Sequence, residues 1–114
     1  MFNEMKTACL EVQDLYDQFN KKSNEDIWTA DDYLDGLMGD IGDLHKLVMA
    51  KNNKRGYKAA NHKNMTVDEA IAHELSDVIW SVVIIADKYK IDLEQSVLNN
   101  MKQLKAGIQQ KLQS

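Results

Sequence analysis

"TVDEAIAHELSDVIWSVVIIADKY", residues 66 to 89, decides how the rest of the chain folds. Thr66 stands three residues before Glu69, the spacing at which each side chain takes the other residue's backbone N–H at a helix start. The helix so begun is expected to run to about Tyr89, and from Val78 onward it is apolar almost all round. Such a helix is stable in water only when neighbours cover several of its sides, so it is central. Its run VIWSVVIIA, residues 78 to 86, falls far short of the roughly 20 residues that cross a bilayer. A soluble protein is expected.

Three further helices surround it in the sequence. The first is expected from Phe2 to about Lys21, with Met5, Ala8, Cys9, Val12, Leu15, Tyr16 and Phe19 recurring at helical spacing. After the polar stretch KKSNEDIW, Thr29 is placed to cap a second helix, with Asp32 at the reciprocal position. That helix reaches about Ala50, and Leu34, Leu37, Ile41, Leu44 and Val48 mark its expected buried face. Residues 51 to 65, KNNKRGYKAANHKNM, are polar and aperiodic, hence a loop. Asp92, with Gln95 at the reciprocal position, opens a fourth helix to about Leu112. The chain has no proline, no repeat and no low-complexity segment, and its 114 residues suit one core. The expected fold is all-α, a single-domain four-helix bundle over residues 1 to 114.

The net charge of −4 argues against a nucleic-acid polymer as partner, because such binders carry a basic excess. One cysteine, Cys9, precludes an internal disulfide and a cysteine-based zinc cluster. It sits on the apolar stripe of the first helix, as a buried structural thiol would. The opening residues MFNEMKTACLEVQD contain no apolar segment of the signal-peptide kind. Together these features fit a reducing, cytoplasmic setting without a membrane partner.

The second helix contains GLMGDIGDLHKL, residues 36 to 47, with three of the poorest helix formers at Gly36, Gly39 and Gly42 and two aspartates at Asp40 and Asp43. The aspartates are three residues apart, neighbours on one face at the border of the apolar stripe. On the third helix Glu74 and Asp77 repeat the spacing. If the two helices pack antiparallel, four carboxylates converge and repel one another unless a cation lies among them. Oxygen ligands of this kind suit Mg²⁺ or Mn²⁺ and not zinc. Acidic pairs at this spacing also occur on ordinary solvated helix faces, and spacing alone does not separate the two readings. His45 and His73 flank the pairs, but neither pair has the Glu-x-x-His spacing of a ferritin-like di-iron site.

GDIGDLHKL followed by HELSDVIWSVVIIADKYKIDLEQSV resembles the MazG-type all-α nucleoside triphosphate pyrophosphohydrolases over roughly residues 28 to 105. Their pattern is E-E-x-x-E, a variable gap, E-x-x-D, an apolar helix and an I-D-L turn. Gly39, Asp40 and Asp43 stand at the first element, Glu74 and Asp77 at the second, and Ile91-Asp92-Leu93 at the turn. The first glutamate is thus a glycine here and the next two are aspartates, whose carboxylates are drawn back by about 1.5 Å. The glycines are expected to let a neighbouring helix or the ligand come close.

What the resemblance implies is Mg²⁺-dependent hydrolysis of a (deoxy)nucleoside triphosphate to monophosphate and pyrophosphate, a house-cleaning of non-standard or excess nucleotides. Asp40, Asp43, Glu74 and Asp77 would hold the metal, with Glu74 as the candidate catalytic residue that orients or deprotonates water. The basic cluster Lys51, Lys54, Arg55, Lys58 and Lys63, with His62, follows directly, and Lys54 and Arg55 are the expected phosphate contacts. Trp28 is placed to stack a base, whereas Trp80 reads as core. Asn100 stands where the family often has a lysine, with Lys102 and Lys105 nearby. The resemblance and the surplus of apolar surface on the first and third helices both imply a homo-oligomer, a dimer or a tetramer. The alternative is a catalytically weak protein of the same fold, serving as a nucleotide sensor or interaction module.

Overall fold

The computed structural model describes residues 1–57 and 62–114, so Lys58 of the basic cluster lies outside the described residues. Four helices and, among the described residues, no strand make the chain all-α: α1 (Phe2–Lys22), α2 (Ala30–Lys51), α3 (Val67–Lys88) and α4 (Leu93–Gln113). No helix among the described residues is long and apolar enough to cross a membrane.

The helix starts follow the local signals. Thr29 takes the Asp32 N–H while Asp32 takes the Thr29 N–H, and Thr66 and Glu69 do the same, so both reciprocal caps form. The bonds that Thr66 gives Glu69 hold its carboxyl below the usual range. At α4 only half of the cap forms. Asp92 accepts the Gln95 N–H at 3.1 Å, but the Gln95 side chain turns forward to Asn99 at 2.9 Å.

Helices α1, α2 and α3 end alike. Asn24, Asn53 and Lys90 adopt left-handed φ of 59°, 61° and 59°. The next residue then donates five residues back: Glu25 to Asn20, Lys54 to Met49, and Ile91 to Ala86, at 2.7 to 2.9 Å. This closure satisfies carbonyls that the helix end leaves open, and it turns the chain sharply.

Helices α2 and α3 run antiparallel and carry most of the inter-helix packing; α1 rests on α3, and α4 packs least. The core is Tyr33 and Leu47 of α2 with Ala70, Val83, Ile84 and Ala86 of α3, so α3 is central as expected. Trp80 Nε1 donates to the Cys9 carbonyl at 3.2 Å and fastens α1 to α3. Lys51 and Asp68 pair at 2.7 Å at the loop end of the hairpin, on the surface, where such a pair contributes little.

The expected buried stripes of α1 and α2 need correcting. Met5, Val12, Leu15, Tyr16 and Phe19 of α1 are exposed, as are Leu34, Ile41 and Val48 of α2. The face of α2 turned to α3 is instead the one marked by Tyr33, Asp40 and Leu47. Helix α4 buries no residue, although Leu98, Met101, Leu104, Ile108 and Leu112 form an apolar stripe along it. The radius of gyration is 17.7 Å, against about 13 Å for a compact chain of this length. Among the described residues, a Cβ built at Gly36, Gly39 or Gly42 meets nothing within 4 Å, so these glycines answer no close approach within the chain.

Candidate metal centre

The antiparallel hairpin sets the middle of α2 against the first half of α3, which brings the two acidic pairs together. One carboxylate oxygen from each of Asp40, Asp43 and Glu74 lies within 4.8 Å of the other two. A second set, His73, Glu74 and Asp77, meets the same limit and shares Glu74. Ligand oxygens around an octahedral Mg²⁺ lie about 3 to 4.2 Å apart, within the 4.8 Å limit that the first set meets. Burial pushes the Asp40 carboxyl above its ordinary range, and the charges of Glu74, Asp77 and Asp43 push it further, with His73 opposing. Asp40 thus feels the charge of the other three carboxylates.

Glu74 is the buried member, 5% exposed. Its Oε1 lies 2.7 Å from His62 Nε2, while its Oε2 is buried and, among the described residues, has no hydrogen-bond partner. A buried charged oxygen without a partner is costly, on the order of 1–3 kcal/mol or more. A divalent cation would remove this cost, and the donor set of Asp40, Asp43 and Glu74, all oxygen, is of the kind that Mg²⁺ or Mn²⁺ takes.

His62 was legible only as one more residue of a basic loop, yet it is 6% exposed against Glu74. A turn delivers it: Met65 N–H donates to the His62 carbonyl at 3.1 Å, with Asn64 left-handed at φ 65°. Tyr57 Oη donates to the Met65 carbonyl at 2.9 Å and fastens the turn. No spacing rule reports a contact made through such a turn. His73 Nε2 lies 3.3 Å from Asp77 on the exposed side.

The other expected residues lie outside the two ligand sets. Lys54 and Arg55 are exposed in the turn after α2, at least roughly 12 Å along the axis from Asp43 by helical rise. Lys63 is exposed on the far side of the loop, and Asn100 is exposed on α4. Trp28 is half-buried, with Tyr16 at 5.1 Å and the edge of Tyr33 at 5.8 Å. Trp80 joins the same cluster through Tyr33 at 5.2 Å and Tyr16 at 5.8 Å. Packing of Tyr33 beside Asp17 in this cluster pushes its hydroxyl up to about 12, burial being the larger cause. An open groove of about 620 Å³ between α1 and α3 runs past Cys9, Tyr16 and Trp80 to Asp77. Burial raises the Cys9 thiol, which disfavours the reactive thiolate. No protein-family model, curated protein or solved structure matches the chain.

Proposed function

We propose that the chain is a pyrophosphohydrolase of the MazG type, hydrolysing a (deoxy)nucleoside triphosphate to the monophosphate and pyrophosphate with Mg²⁺ or Mn²⁺. The observation that carries the reading is that Asp40 and Asp43 of α2 meet Glu74 of α3, which is also grouped with Asp77, with Glu74 Oε2 buried and without a partner among the described residues. These four carboxylates would hold the metal. When bound, it supplies positive charge that neutralises phosphate oxygens and acidifies water. Glu74 orients the attacking water or takes its proton; water adds to phosphorus, and the bond between the α- and β-phosphoryl groups breaks. Lys54 and Arg55 contact the phosphate tail, and Trp28, beside Tyr16, offers a face to the base.

These roles fit a homo-oligomer, in which a second copy covers the apolar stripe of α4 and brings Asn100, Lys54 or Arg55 towards a neighbouring carboxylate cluster. The setting is cytoplasmic. Gly39, in the place of a family glutamate, favours one rival, a nucleotide sensor that binds without turnover. A panel of standard and modified (deoxy)nucleoside triphosphates with Mg²⁺, read for pyrophosphate release, separates the two. Turnover of at least one, lost in Glu74→Gln, supports the hydrolase; nucleotide binding without release supports the sensor.

A further inference from the structure

We propose that His62 is a positioning residue for Glu74: its Nε2–H holds Oε1 so that Oε2 is the oxygen left free for a divalent cation. The proposal rests on the reading of the carboxylate cluster as a metal site.

A buried carboxylate offers several acceptor positions, and in folded proteins such groups are almost always satisfied. Glu74 is satisfied on one side only. Oε1 has an imidazole at 2.7 Å, both side chains being nearly inaccessible at 6% and 7% exposure, while Oε2 has no partner among the described residues. A histidine that merely filled space beside α3 would not need this bond, and a carboxylate that merely anchored a loop would not stand within ligand distance of Asp40 and Asp43. The described residues of the connection between α2 and α3 make the contact. They use a left-handed Asn64 and a Tyr57 hydroxyl bond to place His62 twelve residues back from Glu74 against the helix. His62 belongs to neither ligand set, and its Nε2 meets Oε1 of Glu74.

Holding one oxygen fixes the carboxylate plane, so the ligand oxygen need not be ordered when the cation arrives. Partners of this kind, one bond removed from a metal, typically change affinity by about 10–100-fold when removed. Glutamine at position 62 keeps an N–H donor, whereas leucine keeps the bulk and loses the donor.

The test is Mn²⁺ titration of the whole protein, followed by the loss of the free-ion paramagnetic resonance signal, in the wild type, His62→Gln, His62→Leu and Tyr57→Phe. The expected result is Mn²⁺ affinity about 10–100-fold weaker in His62→Leu, near the wild type in His62→Gln, and intermediate in Tyr57→Phe, whose turn has lost its fastening. Wild-type binding with equal affinity in His62→Leu overturns the role of His62 and leaves the metal site standing. Equal loss in Gln and Leu also overturns it, since a donor then makes no difference. Absence of wild-type binding overturns the metal site itself. If His62→Leu does not fold, Tyr57→Phe and His62→Gln decide: affinity unchanged in Tyr57→Phe, or lost in His62→Gln, contradicts positioning.

Discussion

Asp40 shows what the cluster costs the chain when no cation is bound. Its carboxyl is raised by burial and by three neighbouring carboxylates, which means that its charged form is disfavoured in the folded state. Asp40→Asn removes that charge and keeps the shape. Without metal, the variant should melt about 2–3 °C higher than the wild type, a shift worth a fraction of a kcal/mol. With saturating Mg²⁺ the order should reverse. A metal-free midpoint below that of the wild type would mean that Asp40 makes a stabilising bond. Residue for residue, the four carboxylates were legible because spacing on a helix reports its faces. His62 was not, because its contact with Glu74 runs through a turn whose conformation depends on Asn64 and Tyr57.

At the scale of the helix, the caps written as Thr-x-x-Asp and Thr-x-x-Glu were legible because every partner lies within one turn. The same reasoning failed at Gln95, whose side chain had an equally near alternative in Asn99. The stripes of α1 and α2 were legible as apolar, but periodicity does not say whether the cover comes from the same chain. The helix ends allow a direct test. Asn24 and Asn53 suit the left-handed conformation, but Lys90 pays for it, since a side chain there costs roughly 1–2 kcal/mol. Glycine carries no such penalty but loses more entropy on folding. Lys90→Gly should therefore stabilise by about 0.5–1 kcal/mol, read as a higher urea midpoint at unchanged slope. A lower midpoint would show that the lysine side chain makes a contact worth more than the strain.

The whole molecule exposes 8804 Å², whereas a compact monomer of 13.0 kDa exposes about 6,300 Å². The excess, roughly 2,500 Å² per chain, exceeds the roughly 1,000 Å² that each partner contributes to a 2,000 Å² obligate interface. Much of it is apolar, on Phe19, Leu34, Ile41, Leu98, Met101 and Leu104 among others, and the open space beside Gly36 and Gly39 would let another helix come near. A homo-oligomer is the expected outcome. Light scattering after gel filtration at micromolar concentration should give at least twice the monomer mass, and the melting temperature should rise with protein concentration. A stable species of monomer mass across that range would contradict it.

Thermal melting under Mg²⁺ or Mn²⁺ titration decides whether Asp40, Asp43, Glu74 and Asp77 act as one divalent-cation site, as proposed. A ligand bound only by the folded state raises the midpoint with concentration, by about 2.7 kcal/mol of stability at a hundred times Kd. The wild type should show this rise and Glu74→Gln should lose it. An equal rise in a variant with all four residues changed to alanine would place the metal elsewhere and contradict the account.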